Sequence, residues 1–161
     1  MEAAVASAVR KQFGRHMIAL RRMSDDETAD VATLEQQLFD PPWSADSFRA
    51  ELHNTVSTTV VLQSDGRIIG YAVVWLIGDE MEIIKIAVAP PFRNQGIASW
   101  TLELMLERAR RHHVSHVFIH VRRSNASAIH LYEKYGFTTQ GKRLDYYAAP
   151  REDALLMVAK I

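Results

Sequence analysis

The chain has 161 residues, 48% hydrophobic and 24% charged, with no net formal charge. This is typical of one soluble globular domain with a sizeable core. It argues against the broad basic surface of a nucleic-acid binder, and no stretch reaches the ~18 apolar residues of a membrane span. The lack of cysteine excludes disulfides, thiolate nucleophiles and cysteine-bound metals.

Residues 1–16 precede the first recognisable element. Their short apolar stretch is followed by Arg10, Lys11 and Arg15, whereas a signal peptide carries its positive charges first. We therefore expect a flexible N-terminal extension over residues 1–16, one domain over residues 17–161, and a cytoplasmic protein.

A strand and two short helices are predicted next. Residues 17–23 alternate loosely, as a strand does. Ser24 can cap a helix with acids in its first turn and apolar residues at 31, 34 and 38. The segment Phe39-Asp40-Pro41-Pro42-Trp43 ends that helix. Ser44 can cap a second one, in which Phe48 and Leu52 share a face.

Three strands are predicted over residues 58–63, 67–77 and 81–88. The turns Asp65-Gly66 and Gly78-Asp79 join them into an antiparallel meander. A helix over 96–113 follows, then a strand over 114–122, a helix over 125–135, and strands over 137–147 and 153–161. The expected buried stripe of the first of these helices is Ala98, Leu102, Met105 and Ala109. A meander feeding a β-α-β-α unit is an α/β fold, or α+β in stricter terms.

The loop between Val88 and Gly96 suits an anion. The first turn of a helix offers unpaired N–H groups at the positive end of the helix dipole. Gly96 and Ala98 leave the backbone accessible, and Arg93 adds a charged donor. The glycine patterns of dinucleotide and nucleoside-triphosphate loops are absent. Taken alone, one glycine in such a turn is more often structural.

Two motifs allow a more specific interpretation of this loop. Arg93-x-x-Gly96-x-Ala98, which follows Ile86-Ala87-Val88, resembles the Q/R-x-x-G-x-G/A signature of the GCN5-related N-acetyltransferases (GNAT). The segment from Val121 to Phe137, VRRSNASAIHLYEKYGF, resembles the second signature of that family. The resemblance implies a mixed, mostly antiparallel central sheet flanked by helices, with its central strands splayed apart.

Three shorter motifs outside these two signatures indicate one branch of the family. Pro42-Trp43-Ser44, Tyr146-Tyr147 and Arg151-Glu152-Asp153-Ala154 are similar to the RimI-type branch, the ribosomal-protein-alanine N-acetyltransferases. This similarity implies that the acceptor is a protein N-terminus, that of a small-subunit ribosomal protein. It implies no direct nucleic-acid or membrane partner.

The same resemblance implies that acetyl-CoA is the donor substrate and that a neutral amine attacks its thioester directly. The implied cofactor-binding positions are a strand segment, the pyrophosphate loop and a helix cap: Ile86, Ala87, Val88, Arg93, Asn94, Gln95, Gly96, Ile97, Ala98, Ser99 and Asn125.

Tyr132 matches the family's general acid, which protonates the departing thiolate. It lies seven residues after Asn125, two turns along the same helix face. Without the family, a core aromatic is the simpler interpretation of Tyr132.

The general base is less clear. His120 stands where the RimI-type pattern has a glutamate, and its unperturbed pKa of about 6.5 suits a base. Phe118, His120 and Arg122 share the more polar face of their strand. Glu82 is the alternative base, and a structural role remains open for His120. Lys85, where relatives have a small polar residue, could neutralise Glu82 or acidic groups of the substrate, or face solvent.

We expect no metal. His116 and His120 are four residues apart on a strand, which separates them by roughly 13 Å at ~3.3 Å per residue. Two alternative functions stay open beside N-terminal acetylation. One is acetylation of a small amine or a lysine side chain. The other is a coenzyme A-binding module that has lost its activity.

Overall fold

The computed structural model describes residues 8–161. Eight strands and four α-helices occur in this range: β1 Val9–Phe13, β2 His16–Arg22, α1 Thr28–Leu38, α2 Ala45–His53, β3 Ser57–Ser64, β4 Arg67–Ile77, β5 Glu80–Val88, α3 Ile97–Arg111, β6 His116–Arg122, α4 Ala126–Lys134, β7 Thr138–Ala148 and β8 Arg151–Lys160. No helix in residues 8–161 is long and apolar enough to cross a membrane.

The strands form a mostly antiparallel sheet in the order β1-β2-β3-β4-β5-β6-β8-β7. Strands β5 and β6 run parallel, and their pairing covers four residues of each strand, ending at Ile83 opposite Ile119. Strand β5 continues beyond that point to Val88. The predicted fold class, a mixed and mostly antiparallel sheet with helices, is confirmed.

The prediction of a flexible extension over residues 1–16 is wrong for its second half. Val9–Phe13 forms β1, which pairs with β2 from Val9 opposite Leu20 to Phe13 opposite His16. The Phe13 side chain is buried, and its ring lies 5.5 Å from that of Trp100. The other four residues of β1 are exposed, so the backbone pairing with β2 and the burial of Phe13 hold this strand. Residues 1–7 lie outside the described part.

The chain divides into two compact units, and the prediction of a single domain stays a prediction. The first unit holds the chain up to Val73 together with Lys85–Thr101. In it, Asp25–Glu27 form a 3-10 turn before α1, so the helix predicted after Ser24 begins as a tighter turn. The Ser44 hydroxyl accepts a hydrogen bond from Ser47 N at 3.1 Å, which confirms the predicted cap of α2.

The second unit holds Val74–Ile84 and Leu102–Ile161. Strand β6 alternates as predicted: Val117, Ile119 and Val121 are buried, and the face carrying His120 is only partly covered. Leu102, Met105 and Ala109 of α3 are buried, also as predicted. Ala98, in the first unit, is only half-buried, and Ile97 is the buried residue of that turn instead.

Candidate active site

The predicted anion loop lies in the first unit, between the end of β5 and the start of α3. Pro90–Phe92 form a 3-10 turn, and Asn94 and Gly96 adopt φ angles of 60° and 88°. The first backbone bond of α3 runs from Trp100 N to Gly96 O at 3.0 Å, so the N–H groups before it belong to the helix's unpaired first turn. This geometry suits a phosphate.

The Arg93 side chain is fixed in place rather than free. Its Nε donates to Val88 O at 2.9 Å, which ties the loop to the last residue of β5. This bond uses Nε and leaves out the two terminal nitrogens of the guanidinium. This hydrogen bond therefore links the loop, residues Arg93 to Ser99, to the strand segment Ile86 to Val88.

Gly70 allows β4 to approach this strand segment closely. A Cβ at Gly70 would lie 2.5 Å from Ala87 O and 2.8 Å from Leu62 Cδ1. On the neighbouring residues, Ala89 N donates to Ile69 O at 2.7 Å. The end of β5 can occupy its position only because residue 70 has no side chain.

The two candidate bases lie together in the second unit. His120 Nδ1 is 3.4 Å from Glu82 Oε1. The His120 side chain is 13% exposed, and its Nε2 is buried without a hydrogen-bond partner among the described residues. From the sequence, His120 and Glu82 are alternative candidates for the general base, whereas in the structure they form a pair.

The environment of His120 favours its neutral form. Desolvation by burial lowers the pKa of the imidazole, and the positive charge of Arg143 lowers it further, while Glu82 acts in the opposite direction. A histidine with a lowered pKa is unprotonated at neutral pH, which is the form a general base requires.

Tyr146 covers the imidazole. The rings of Tyr146 and His120 are stacked, with centroids 5.1 Å apart and planes 11° apart. Tyr146 reaches this position from an irregularity in β7, where the register shifts between Arg143 and Tyr147. Asp145 within it has a φ of 50°, and its N–H donates to Asp153 Oδ1 at 2.8 Å.

The neighbouring Tyr147 is held by charged groups. The Arg122 guanidinium lies 4.2 Å from the centre of the Tyr147 ring and 3.3 Å from Glu152 Oε1. Glu152 also accepts a hydrogen bond from the Ser124 hydroxyl at 2.9 Å. Burial raises the pKa of Tyr147 to about 12, so its phenol stays protonated at neutral pH. These contacts connect the residues before α4 to β7 and β8.

Tyr132 is a buried residue of α4. It is 4% exposed, and its ring lies 5.7 Å from that of Phe137. Desolvation raises the pKa of Tyr132, which keeps the phenol protonated, as a general acid must be. The same burial suits a core aromatic, so the catalytic role of Tyr132 stays a prediction.

Asn125 caps α4 as expected. Its side-chain oxygen accepts hydrogen bonds from Ala128 N at 3.2 Å and from the Ser127 hydroxyl at 3.3 Å. The predicted contact of Asn125 with the cofactor stays a prediction.

Lys85 neither neutralises Glu82 nor simply faces solvent. Its ammonium lies 2.6 Å from Glu35 Oε1, and Glu82 pairs with His120 instead. The Glu35 carboxylate is completely buried.

Sequence reasoning missed two charged residues that act on the candidate residues, Arg143 on His120 and Glu35 on Lys85. Arg143 was not singled out, because nothing in the sequence shows that the irregularity of β7 places its charge near His120. Glu35 was also missed, although a signal was present: it lies four residues after Val31, on the apolar face of α1. Among the described residues, no group of three His, Asp or Glu side chains could hold a metal ion.

Comparisons with known proteins identify the family of this chain. Residues 28–137 match the model of the Acetyltransferase (GNAT) family. The chain is 31% identical over 147 residues to the [ribosomal protein bS18]-alanine N-acetyltransferase of Escherichia coli (strain K12), covering 88% of this chain and 99% of that protein.

Solved structures show the same fold. The crystal structure of the ribosomal-protein-S18-alanine N-acetyltransferase from Escherichia coli matches with a TM-score of 0.81 and 29% identity, over 90% of this chain and 94% of that one. Arabidopsis thaliana Naa50 in complex with the bisubstrate analogue CoA-Ac-MVNAL matches with a TM-score of 0.79, over 89% and 99% of the two chains. At 20% identity, the Naa50 match shows the fold alone. The family match covers more than half of the chain, and this protein belongs to the GNAT family of acetyltransferases.

Proposed function

We propose that this acetyltransferase transfers the acetyl group of acetyl-CoA to the N-terminal α-amine of a protein. Its acceptor is the N-terminal alanine of a small-subunit ribosomal protein. The similarity to the Escherichia coli enzyme extends over 88% of the chain and supports this acceptor. The observation that carries the chemistry is the His120–Glu82 pair, with Nδ1 and Oε1 3.4 Å apart.

The donor is held by the first unit. The first-turn N–H groups of α3 and the Arg93 guanidinium bind the pyrophosphate, and Gly96 leaves room for it. The backbone of Ile86 to Val88 pairs with the pantetheine arm. The pairing of β5 with β6 that ends at Ile83 supports this, because the later residues of β5 are not used in that register.

His120 acts as the general base. Its neutral imidazole accepts a proton from the attacking amine, and Glu82 stabilises the imidazolium that results. An α-amino group has a pKa of about 7.7–8.0, so a substantial fraction is already neutral near pH 7.5. The base therefore removes one of the amine's own N–H protons, which becomes acidic as the nitrogen bonds to the thioester carbonyl and gains positive charge.

Tyr132 completes the reaction as general acid. Its phenol gives a proton to the sulfur as the carbon–sulfur bond breaks, and the products are the N-acetylated chain and free coenzyme A. The raised pKa of Tyr132 supports this role, because the proton is present on the phenol when the thiolate leaves.

The test is an acetylation assay with acetyl-CoA and peptides that begin with Ala, Ser or Met and also contain an internal lysine. Mass spectrometry locates the acetyl group, and the same peptides with a blocked N-terminus serve as controls. We expect modification of the free α-amine only, fastest on Ala. Transfer only to lysine or to small amines would overturn the proposal, and so would tight acetyl-CoA binding with no transfer to any amine.

A further inference from the structure

Glu35, in the first unit, is the centre of a buried polar cluster that the proposed reaction does not use. The carboxylate accepts hydrogen bonds from Lys85 Nζ at 2.6 Å, from Trp43 N at 3.2 Å and from the Tyr71 hydroxyl. Glu35 is 0% exposed, and the Lys85 side chain is 12% exposed. Burial raises the pKa of Tyr71, so its hydroxyl remains a donor. The carboxylate and the ammonium neutralise each other out of water.

Lys85 also contacts two aromatic rings. Its Nζ lies 4.4 Å from the centre of the Phe39 ring and 4.6 Å from that of Trp43. Both residues belong to the segment between α1 and α2, residues 39–44, which we term the connecting segment. The attraction between an ammonium and an aromatic face is strongest where water is excluded. Lys85 therefore fastens the connecting segment to β5 in addition to neutralising Glu35.

The two ends of the connecting segment differ in their packing: Trp43 packs on buried core residues, whereas Phe39 is exposed. The Trp43 ring lies 5.3 Å from Phe48, and Phe48 lies 5.4 Å from Tyr71, both in the buried core. Phe39 at the other end is 38% exposed. Lys85 contacts this exposed ring from β5.

The position of Lys85 relates it to the acceptor, and this step rests on the proposed function. The pyrophosphate lies at Arg93 to Ser99, and the arm runs back along β5 from Val88 to Ile86. The reacting end of the donor therefore points toward the residue before Ile86, which is Lys85. An amine that reaches the thioester from this side meets the connecting segment.

We propose that Lys85 is a specificity-determining and positioning residue of the acceptor site. It holds Phe39 and Trp43 as one wall of that site, and its pairing with Glu35 leaves the wall without net charge. Such a wall selects acceptors whose first side chain is small and uncharged, since a charged side chain would lose its hydration against aromatic rings without gaining a partner.

Variants of Lys85 and Glu35 test two roles of Lys85 separately: holding the aromatic wall and keeping it without net charge. In Glu35→Gln the ammonium keeps its cation–π contacts but loses its counter-ion, so the wall becomes positive. In Lys85→Met the contacts are lost and the wall becomes negative. In the double variant the contacts are lost but the wall is neutral again. Lys160→Met, at an exposed position on β8, is the matched control for removing a lysine.

The measurement is kcat and KM for three peptides that differ only in a first residue of Ala, Asp or Lys, with saturating acetyl-CoA. Peptide affinity is also measured by calorimetry in the presence of coenzyme A, where no transfer occurs. Acetyl-CoA affinity and melting temperature are recorded for each variant, so that a general loss of folding is recognised.

We expect Glu35→Gln to raise the preference for Asp over Ala by about tenfold, and Lys85→Met to lower it. Lys85→Met and the double variant should raise KM for the Ala peptide by roughly tenfold, with much smaller changes in kcat and in acetyl-CoA affinity. Lys85→Arg should recover part of that KM. The double variant should return the Asp-to-Ala preference to the wild-type value.

Two outcomes would overturn the inference. One is an unchanged Asp-to-Ala preference in both single variants. The other is a fall in kcat, acetyl-CoA affinity and melting temperature together, which would mark Lys85 as structural only. Failure of the proposed function looks different, because the wild-type protein itself would then acetylate none of the peptides at the α-amine.

Discussion

His120 Nδ1 and Glu82 Oε1 lie 3.4 Å apart, across the parallel pairing of β6 with β5. This distance is consistent with a histidine at the position where the RimI-type pattern described above has a glutamate. The acidic group is still present, but it comes from the neighbouring strand and acts on the imidazole. In the proposed mechanism the pair supplies a neutral base together with a negative charge that stabilises its protonated form.

The first prediction concerns the pH dependence of His120. Burial and Arg143 lower its pKa and Glu82 raises it, so the folded value lies below the usual 6.5 or so. Arg143→Gln should move the pKa up, and Glu82→Gln should move it further down. NMR titration of the His120 ring in each variant measures this directly, and the acidic limb of kcat should shift in the same direction.

His120→Gln supplies the control for that experiment. It should remove the acidic limb and reduce kcat by about 10²-fold or more, the usual contribution of a general base. His112 lies on the exposed surface after α3, and His112→Gln should leave both quantities unchanged. If the acidic limb persists in His120→Gln and disappears in Glu82→Gln, Glu82 is the base and the histidine only supports it.

The second prediction separates the two interpretations of Tyr132. Tyr132→Phe removes the proton donor but keeps the ring that packs on Phe137. We expect kcat to fall by roughly 10²–10⁴-fold with acetyl-CoA affinity unchanged. Tyr135→Phe makes the same chemical change at the C-cap of the same helix, at a hydroxyl that donates to Glu103, and should retain activity. A fully active Tyr132→Phe would make Tyr132 a core residue.

Local patterns in the sequence were sufficient for most of the fold. The β4 strand has the predicted limits, Arg67–Ile77, because glycine-containing turns bound it on both sides. The caps at Ser44 and Asn125 also form as predicted, since each depends on a side chain within three residues of the backbone group that it binds. β1 was missed although it forms a two-residue hairpin with β2, because four of its five residues are exposed and two of them are charged.

The site was less predictable, because its contacts join residues far apart in sequence. His120 and Glu82 were both named, yet only the register of β5 against β6 shows that they form a pair. The partner of Lys85 is Glu35, fifty residues away on α1. No spacing rule relates such positions. What the sequence does show is that both residues are unusual, a charge on an apolar helix face and a lysine in a buried strand.

The third prediction concerns Arg93. Its Nε is bound to Val88 O, and this bond does not use its two terminal nitrogens. Arg93→Gln should weaken acetyl-CoA binding by about 10- to 100-fold, which corresponds to roughly 1.5–3 kcal/mol for a hydrogen bond to a charged group. Calorimetry measures this, and Arg110→Gln on the exposed face of α3 is the control. Unchanged affinity in Arg93→Gln would exclude this loop as the pyrophosphate site.

The fourth prediction tests whether the end of β5 holds the donor. A Cβ at Gly70 would lie 2.5 Å from Ala87 O, a backbone atom that cannot move without displacing the strand segment. Gly70→Ala should therefore lower the free energy of unfolding by about 1–3 kcal/mol, as overpacking does, and weaken acetyl-CoA binding as well. Gly141→Ala, with nothing within 4 Å of its added Cβ, should change neither. Denaturant unfolding and calorimetry decide the matter: a destabilised Gly70→Ala that binds acetyl-CoA normally would place the pantetheine arm elsewhere.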